Sequence, residues 1–236
     1  VLKLTPSLVK IYDRLGNLKM IIEKDNTYFV PGSTAVYFLD FENRLRRPTT
    51  QDYIDFTKLT DILPNIAAQS TAMIPEDVPE EIADRYRLYL SLLNSTKPII
   101  TGAFTKDGLK VMIDMLIAVR RGEKELKEKP LAIFDVCSSS PLRWSDISCF
   151  CLINCAYRCI PIELVSMPLS GATAPITLYG TLVQHTAENL SGLAIVQLIN
   201  PGSLVIYGGS PAIFDMRYET TPMGAVESLM IDIAYT

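Results

Sequence analysis

Five short apolar runs, each followed by a stretch with a helical pattern, constrain this chain most tightly. The runs lie near 65–70 and at 98–103, 131–136, 160–166 and 203–207. The helical patterns lie at 78–94, 107–121, 143–158, 174–199 and 222–236. Apolar strands that alternate with amphipathic helices predict an α/β fold with a parallel sheet, because each crossover helix must cover a sheet face. Punctuation supports the spacing. Thr49 or Thr50 caps a helix through Leu63, Pro79 sits near the start of the next, and Gly122 stops the one after. The Glu/Lys-rich stretch 123–129 reads as a solvated turn or short helix.

Before Pro48 the pattern differs. Residues 8–12 and 19–23 alternate around Asp13 to Asn17, which predicts a hairpin. Residues 27–31 and 35–39 predict a second pair around Pro31-Gly32-Ser33. The expected division is a strand-rich segment over 1–48, packed on a barrel portion over 49–236.

Two parallel architectures compete, a doubly wound sheet and a (β/α)8 barrel. The first favours a glycine-rich nucleotide loop, and neither GxGxxG nor GxxxxGK[ST] occurs. Several strands end in small polar residues, as when a barrel gathers its site from many strand ends. Five units do not close eight, and the chain stops at Thr236 inside a helical pattern, so we expect a fragment of a longer barrel. An in-frame amber codon at that point is one origin for such a stop.

Composition narrows the function classes. Net charge is −4 at pH 7, and the only basic cluster is Arg44, Arg46 and Arg47, which reads as a solvated turn, so no nucleic-acid partner is expected. No apolar run reaches the roughly 18 residues of a membrane span. Five cysteines without a basic-then-apolar leader predict reduced thiols in a cytoplasmic protein. Cys151, Cys155 and Cys159 fall four apart on one helix stripe, beside Cys149. One helix cannot wrap a tetrahedral ion, so they read as buried small side chains and no metal site is expected.

Candidate site residues come from the strand ends. Asp135 is an acid within an apolar strand, and burial is costly without a partner. Cys137-Ser138-Ser139-Ser140 follows that strand, and Ser139 either contacts a ligand or caps a helix. Ser170-Gly171-Ala172-Thr173 and Tyr207-Gly208-Gly209-Ser210 are small-residue loops that either admit a ligand or make tight turns. His185, the sole histidine, shares a helix face with Glu188 and is either locally satisfied or part of a site. Phe104, Tyr179 and Tyr207 stand near strand ends, as core or as ring faces for an alkylammonium ion.

Several blocks resemble the trimethylamine methyltransferase family. They are Asp25-Asn26-Thr27-Tyr28-Phe29-Val30-Pro31-Gly32-Ser33, Lys97-Pro98-Ile99-Ile100, Ser139-Ser140-Pro141-Leu142, Pro168-Leu169-Ser170-Gly171-Ala172-Thr173-Ala174-Pro175, Val183-Gln184-His185-Thr186-Ala187-Glu188 and Phe214-Asp215-Met216-Arg217. The resemblance runs nearly the length of the chain, and the block over 168–188 with 207–217 is the most specific part. The resemblance implies a (β/α)8 barrel of about twice this length. It implies transfer of a methyl group from trimethylamine to the Co(I) corrinoid of a separate corrinoid protein, with no cofactor held tightly by this chain, and a homo-oligomer. On this reading Glu188, His185 and Asp135 are the catalytic candidates, and Phe104, Ser139, Ser170, Tyr179, Tyr207 and Gly208 bind substrate. No pyrrolysine stands among the 236 residues, so the chain belongs to a pyrrolysine-free, glycine betaine type branch or carries that residue elsewhere. A barrel that binds amines or a partner without catalysis is the alternative of another class.

Overall fold

The structure, a computed structural model, describes residue 3, residues 5–23 and residues 25–236. The described chain divides into two compact units, one built from residues 6–134 with 158–161 and the other mainly from 135–157 with 162–236.

The first unit opens with the expected hairpin, β1 (Val9–Tyr12) antiparallel to β2 (Leu18–Ile22). The Asp13 carboxylate closes its turn by accepting from the Asn17 amide at 2.8 Å. Buried Arg120 ties the turn down, donating to the Asp13 carbonyl at 2.7 Å. The second expected pairing is corrected. Residues 27–31 do not pair with 35–39; instead β3 (Phe38–Leu39) pairs with β4 (Leu45–Arg46). Pro31 has no N–H to give a ladder, and the backbone on either side finds partners elsewhere. Phe29 accepts from Ala67, and Thr34 and Ala35 donate to Thr71 and Ala72.

A capping box of Thr49 and Asp52 opens α1 (Thr50–Ile62). Arg46 adds an ion pair to Asp52 at 2.6 Å and Arg44 pairs with Asp40, while Arg47 lies over the Tyr37 ring. Then come β5 (Gln69–Ser70), α2 (Ala83–Asn94), β6 (Ile99–Thr101), α3 (Lys106–Arg120), α4 (Glu123–Glu128) and β7 (Ala132–Cys137). The helix expected over 78–94 is split, with a 3-10 turn at Glu80–Ile82 before α2. Apolar residues of β6 and β7, including Ile99, Ile133 and Phe134, are buried with Leu88 of α2 and Leu109, Met112 and Leu116 of α3.

The second unit holds α5 (Asp146–Tyr157), β8 (Ile162–Ser166), β9 (Leu169–Ser170), α6 (Leu178–Ile199), β10 (Val205–Gly209), β11 (Ala212–Ile213) and α7 (Val226–Tyr235). Helix α6 starts four residues later than expected. The chain over 170–176 folds as a loop, and the Thr177 hydroxyl accepts from the Gly180 amide to begin the helix. Cys151 and Cys155 are buried on α5 as read from their spacing. Among the described residues the five cysteines form no disulfide.

Strands β5, β6, β7, β8 and β10 form one five-stranded parallel sheet in the order β10-β8-β7-β6-β5. Their spatial order follows chain order without reversal, so these strands contain no topological switch point. No described helix is long and apolar enough to cross a membrane.

Candidate active site

The second unit gathers polar groups on both faces of the sheet, at the C-terminal strand ends on the α6 side and within β7 and near the start of β8 on the other. Side chains alternate along β8. Ser166 donates to Glu188 of α6, and Leu164 packs against Gly192 of the same helix, so these residues face α6. Glu163 and Val165 therefore face the other way.

Glu188 is the centre of the helix-side group. It is buried at 1 % exposure and its carboxylate is surrounded by donors. Ser138 and Ser166 donate to one oxygen at 2.6 Å each, and Ser140 donates to the same oxygen at 2.8 Å. The Leu142 amide and the Gln184 side-chain amide donate to the other, at 2.9 and 3.0 Å. Burial alone pushes the acid's pKa up, but the donors outweigh it and hold Glu188 below the ordinary glutamate value. A carboxylate with five donors is a structural anchor that fixes the loop after β7, the end of β8 and the middle of α6 together.

His185 lies one helical turn before Glu188 and is fully buried. Its Nε2 stands 3.1 Å from the Gly208 carbonyl oxygen and 3.1 Å from the Asn189 side-chain nitrogen, which itself donates to Gly208 at 3.0 Å. Nδ1 lies 3.3 Å from the Tyr207 hydroxyl. Desolvation lowers the imidazole pKa, so the ring is neutral at pH 7. Tyr207 and Tyr235 of α7 pack around it, with centroids 5.5 and 4.5 Å away, and the Tyr235 hydroxyl donates to the Gly209 carbonyl at 2.7 Å. Gly209 has no room for a side chain, because a Cβ there would meet the His185 ring and stand 2.6 Å from the Ser166 carbonyl.

The opposite face carries a different arrangement. Asp135 of β7 and Glu163 of β8 interact directly, and both are half-buried. Desolvation and the neighbouring Glu163 charge raise the Asp135 pKa well above the aspartate value, and desolvation raises that of Glu163. Each carboxyl thus opposes ionisation of the other, because two charges side by side are costly where water is scarce. One buried Asp135 oxygen, Oδ1, has no hydrogen-bond partner. Glu163 packs directly against Gly208: a Cβ there would come 2.9 Å from Glu163 Oε1. Cys137, next along this face of β7, has its thiol pushed up to about 11 by burial and by the same two carboxyls.

The sequence-derived candidates thus separate. His185, Glu188, Tyr207 and the Gly208 carbonyl gather at the strand ends on the α6 side, whereas Asp135 lies within β7 on the opposite face. The Ser139 backbone closes a turn with Arg143, while its neighbours Ser138 and Ser140 supply the hydroxyls to Glu188. The Ser170 hydroxyl donates to the carbonyls of Pro175 and Ile176 and closes its own loop. Tyr179 is 78 % exposed on the first turn of α6. Phe104 belongs to the first unit, where its ring lies 4.4 Å from the Arg87 guanidinium carbon. Glu163 and Tyr235 were not among the candidates. Glu163 carried the same signal as Asp135, an acid inside an apolar strand run; Tyr235 carried none.

Among the described residues no group of three or more His, Cys, Asp or Glu side chains is arranged to hold a metal ion. The fold and the strand-end groups define a parallel α/β protein of the kind that builds its site at strand C-termini. The chain belongs to the trimethylamine methyltransferase family (MTTB), whose model matches residues 1–235. A glycine betaine methyltransferase of Desulfitobacterium hafniense is 30 % identical over 227 residues, which is 96 % of this chain and 47 % of that protein. A trimethylamine methyltransferase MttB of the same species is 30 % identical over 228 residues, 96 % of this chain and 46 % of that protein. The Methanosarcina thermophila MttB is 35 % identical over 186 residues, 78 % of this chain and 38 % of that protein. The chain spans about half the length, or less, of these curated relatives.

Proposed function

We propose that this chain is part of a (β/α)8 methyltransferase that moves a methyl group from trimethylamine to the corrinoid of a partner corrinoid protein. Family membership and the names of the relatives support the reaction class. The in-order parallel strands support the barrel, because a doubly wound sheet reverses its strand order and a barrel does not. The observation that carries the site is the Asp135–Glu163 pair beside Gly208.

The chemistry asks for a cation. A methyl group leaves nitrogen readily only when the nitrogen is positively charged and departs as a neutral amine. The Co(I) corrinoid of the partner supplies the nucleophile and the difficult chemistry. This chain's residues have to bind and orient the ammonium ion. With the site empty, one proton offsets the repulsion between Asp135 and Glu163. A bound ammonium ion replaces that proton, both carboxyls ionise, and the charge fixes the nitrogen beside β7 and β8. Gly208, lacking a Cβ, lets the Glu163 carboxyl lie against the β10 backbone. Glu188 and His185 act as positioning residues. They lock the serine loop after β7 and the Gly208–Gly209 backbone, so the carboxyl pair is held on a rigid frame. Tyr207, Tyr235 and His185 pack on one another on the α6 side, so we assign cation recognition to the carboxyls rather than to an aromatic cage.

The test uses the full-length protein with its corrinoid partner reduced to Co(I). Methyl transfer from trimethylamine, lost in Asp135→Asn, supports the proposal. Transfer from glycine betaine alone would move the assignment to the quaternary-amine branch, which the relative of that name also supports. Amine binding without transfer from either donor would favour the non-catalytic reading.

A further inference from the structure

Arg87 of α2 is fully buried, at 0 % exposure, yet its guanidinium is only partly used. Nη1 donates to the Thr71 carbonyl at 3.0 Å and more weakly to the Thr34 hydroxyl at 3.4 Å. Nε and Nη2 are buried without a partner. These two nitrogens form one edge of the planar group, the edge that grips a carboxylate through two parallel N–H bonds. The nearby acid does not fill it. Asp84 accepts from the amides of Phe104 at 2.9 Å, Thr105 at 3.1 Å and Arg85 at 2.7 Å. The Phe104 ring offsets part of the charge from the face of the guanidinium, but a ring face supplies no acceptor in the guanidinium plane. A buried cation with two unmet donors is costly unless something completes it.

The place fits a ligand. Thr71 directly follows β5, and its hydroxyl donates to that of Thr101, the last residue of β6, at 3.3 Å. Arg87 thus reaches the C-terminal end of β5, beside that of β6. The segment that covers it, around Thr34, is exposed and held under strain: Thr34 is β-branched and has φ 60°. A cavity of about 480 Å³ lies on the other side of the Phe104 ring, lined by Val36, Ile74, Thr105, Glu80 and Glu81 but not by Arg87 itself.

We propose that the Nε–Nη2 edge of Arg87 is a binding site for the carboxylate of a small organic acid. The site admits its ligand when the strained cover around Thr34 moves. The inference concerns binding alone and does not rest on the methyl-transfer reading.

The test follows the Arg87 Nε–H signal by ¹⁵N NMR in the full-length protein, assigned by its loss in Arg87→Lys. Acetate and glycine betaine should each shift it saturably. Choline, which has the cation without the carboxylate, and chloride should leave it in place. Arg87→Lys keeps the charge but loses the fork, and should weaken acetate binding by about tenfold or more. Titration of the native protein decides the matter even if that variant fails to fold. An unmoved signal, an equal response to chloride, or saturation by inorganic phosphate but not by carboxylates would overturn the proposal.

Discussion

Glu188 of α6 and the Asp135–Glu163 pair, on opposite faces of the same sheet, have opposite surroundings. Glu188 is deeply buried and receives five hydrogen bonds, which keep it ionised. Asp135 and Glu163 are less buried but short of donors, and their pKa values are raised. Burial alone would rank Glu188 as the more unusual acid. Donor supply reverses the ranking: a satisfied carboxylate holds structure together, whereas an unsatisfied pair stores a charge demand that a cationic ligand can meet.

The sharpest way to break this comparison is to neutralise each side and read stability and activity together. Glu188→Gln puts an NH2 group among hydroxyl and amide donors, and should cost roughly 3 kcal/mol in urea unfolding. Asp135→Asn removes a repulsion, and should leave the protein as stable or about 1 kcal/mol more stable at pH 7, while methyl transfer falls by about 100-fold or more. Loss of stability in both variants would erase the distinction.

Gly209→Ala should come next, at about 2 kcal/mol, because its methyl group displaces the His185 ring. Thermal unfolding measures the cost. A variant as stable as the parent would show that the ring is not fixed against the β10 backbone.

The pH dependence separates the two groups by sign. Glu188 has a lowered folded pKa, so its stability contribution is complete above the unfolded value near 4.3 and is lost as pH falls through the folded value. Asp135 and Glu163 have raised folded values, so they favour the fold at low pH and withdraw that support as pH rises from about 4 through the raised values. Unfolding free energy measured against pH should lose the second slope in Asp135→Asn and keep the first.

The smallest effect concerns Cys137. The residue is exposed as a whole, but desolvation and the two carboxyls push its thiol up to about 11, so alkylation at pH 8 should be slow. Asp135→Asn removes one source of repulsion and should speed it severalfold. An unchanged rate would mean that the carboxyl pair exerts no field along β7.

Much of the fold was legible because it is written locally. Strand runs and cap residues such as Thr49 and Gly122 need only their neighbours, and the first hairpin needs only its turn. The second hairpin failed because its residues bond to chain 30 to 40 positions away, as Thr34 does to Thr71. The site was half legible for the same reason. Asp135 stood out as an acid in a strand, and Glu163 offered the same signal unread. The role of Glu188 depends on Ser138 and Ser166, which lie 50 and 22 residues away, and no spacing rule connects them. Tyr179 fitted a pattern of aromatics near strand ends, but the helix start turns it to solvent.

The central claim is that a methylated ammonium ion displaces the proton shared by Asp135 and Glu163. Tetramethylammonium tests it directly, because it carries no ionisable proton of its own. Calorimetric titration of the full-length protein at pH 7, in buffers of different ionisation enthalpy, counts the protons released on binding. The account predicts release of about one proton per bound ion, abolished in Asp135→Asn. Binding with no proton release, or with the same release in that variant, would contradict it.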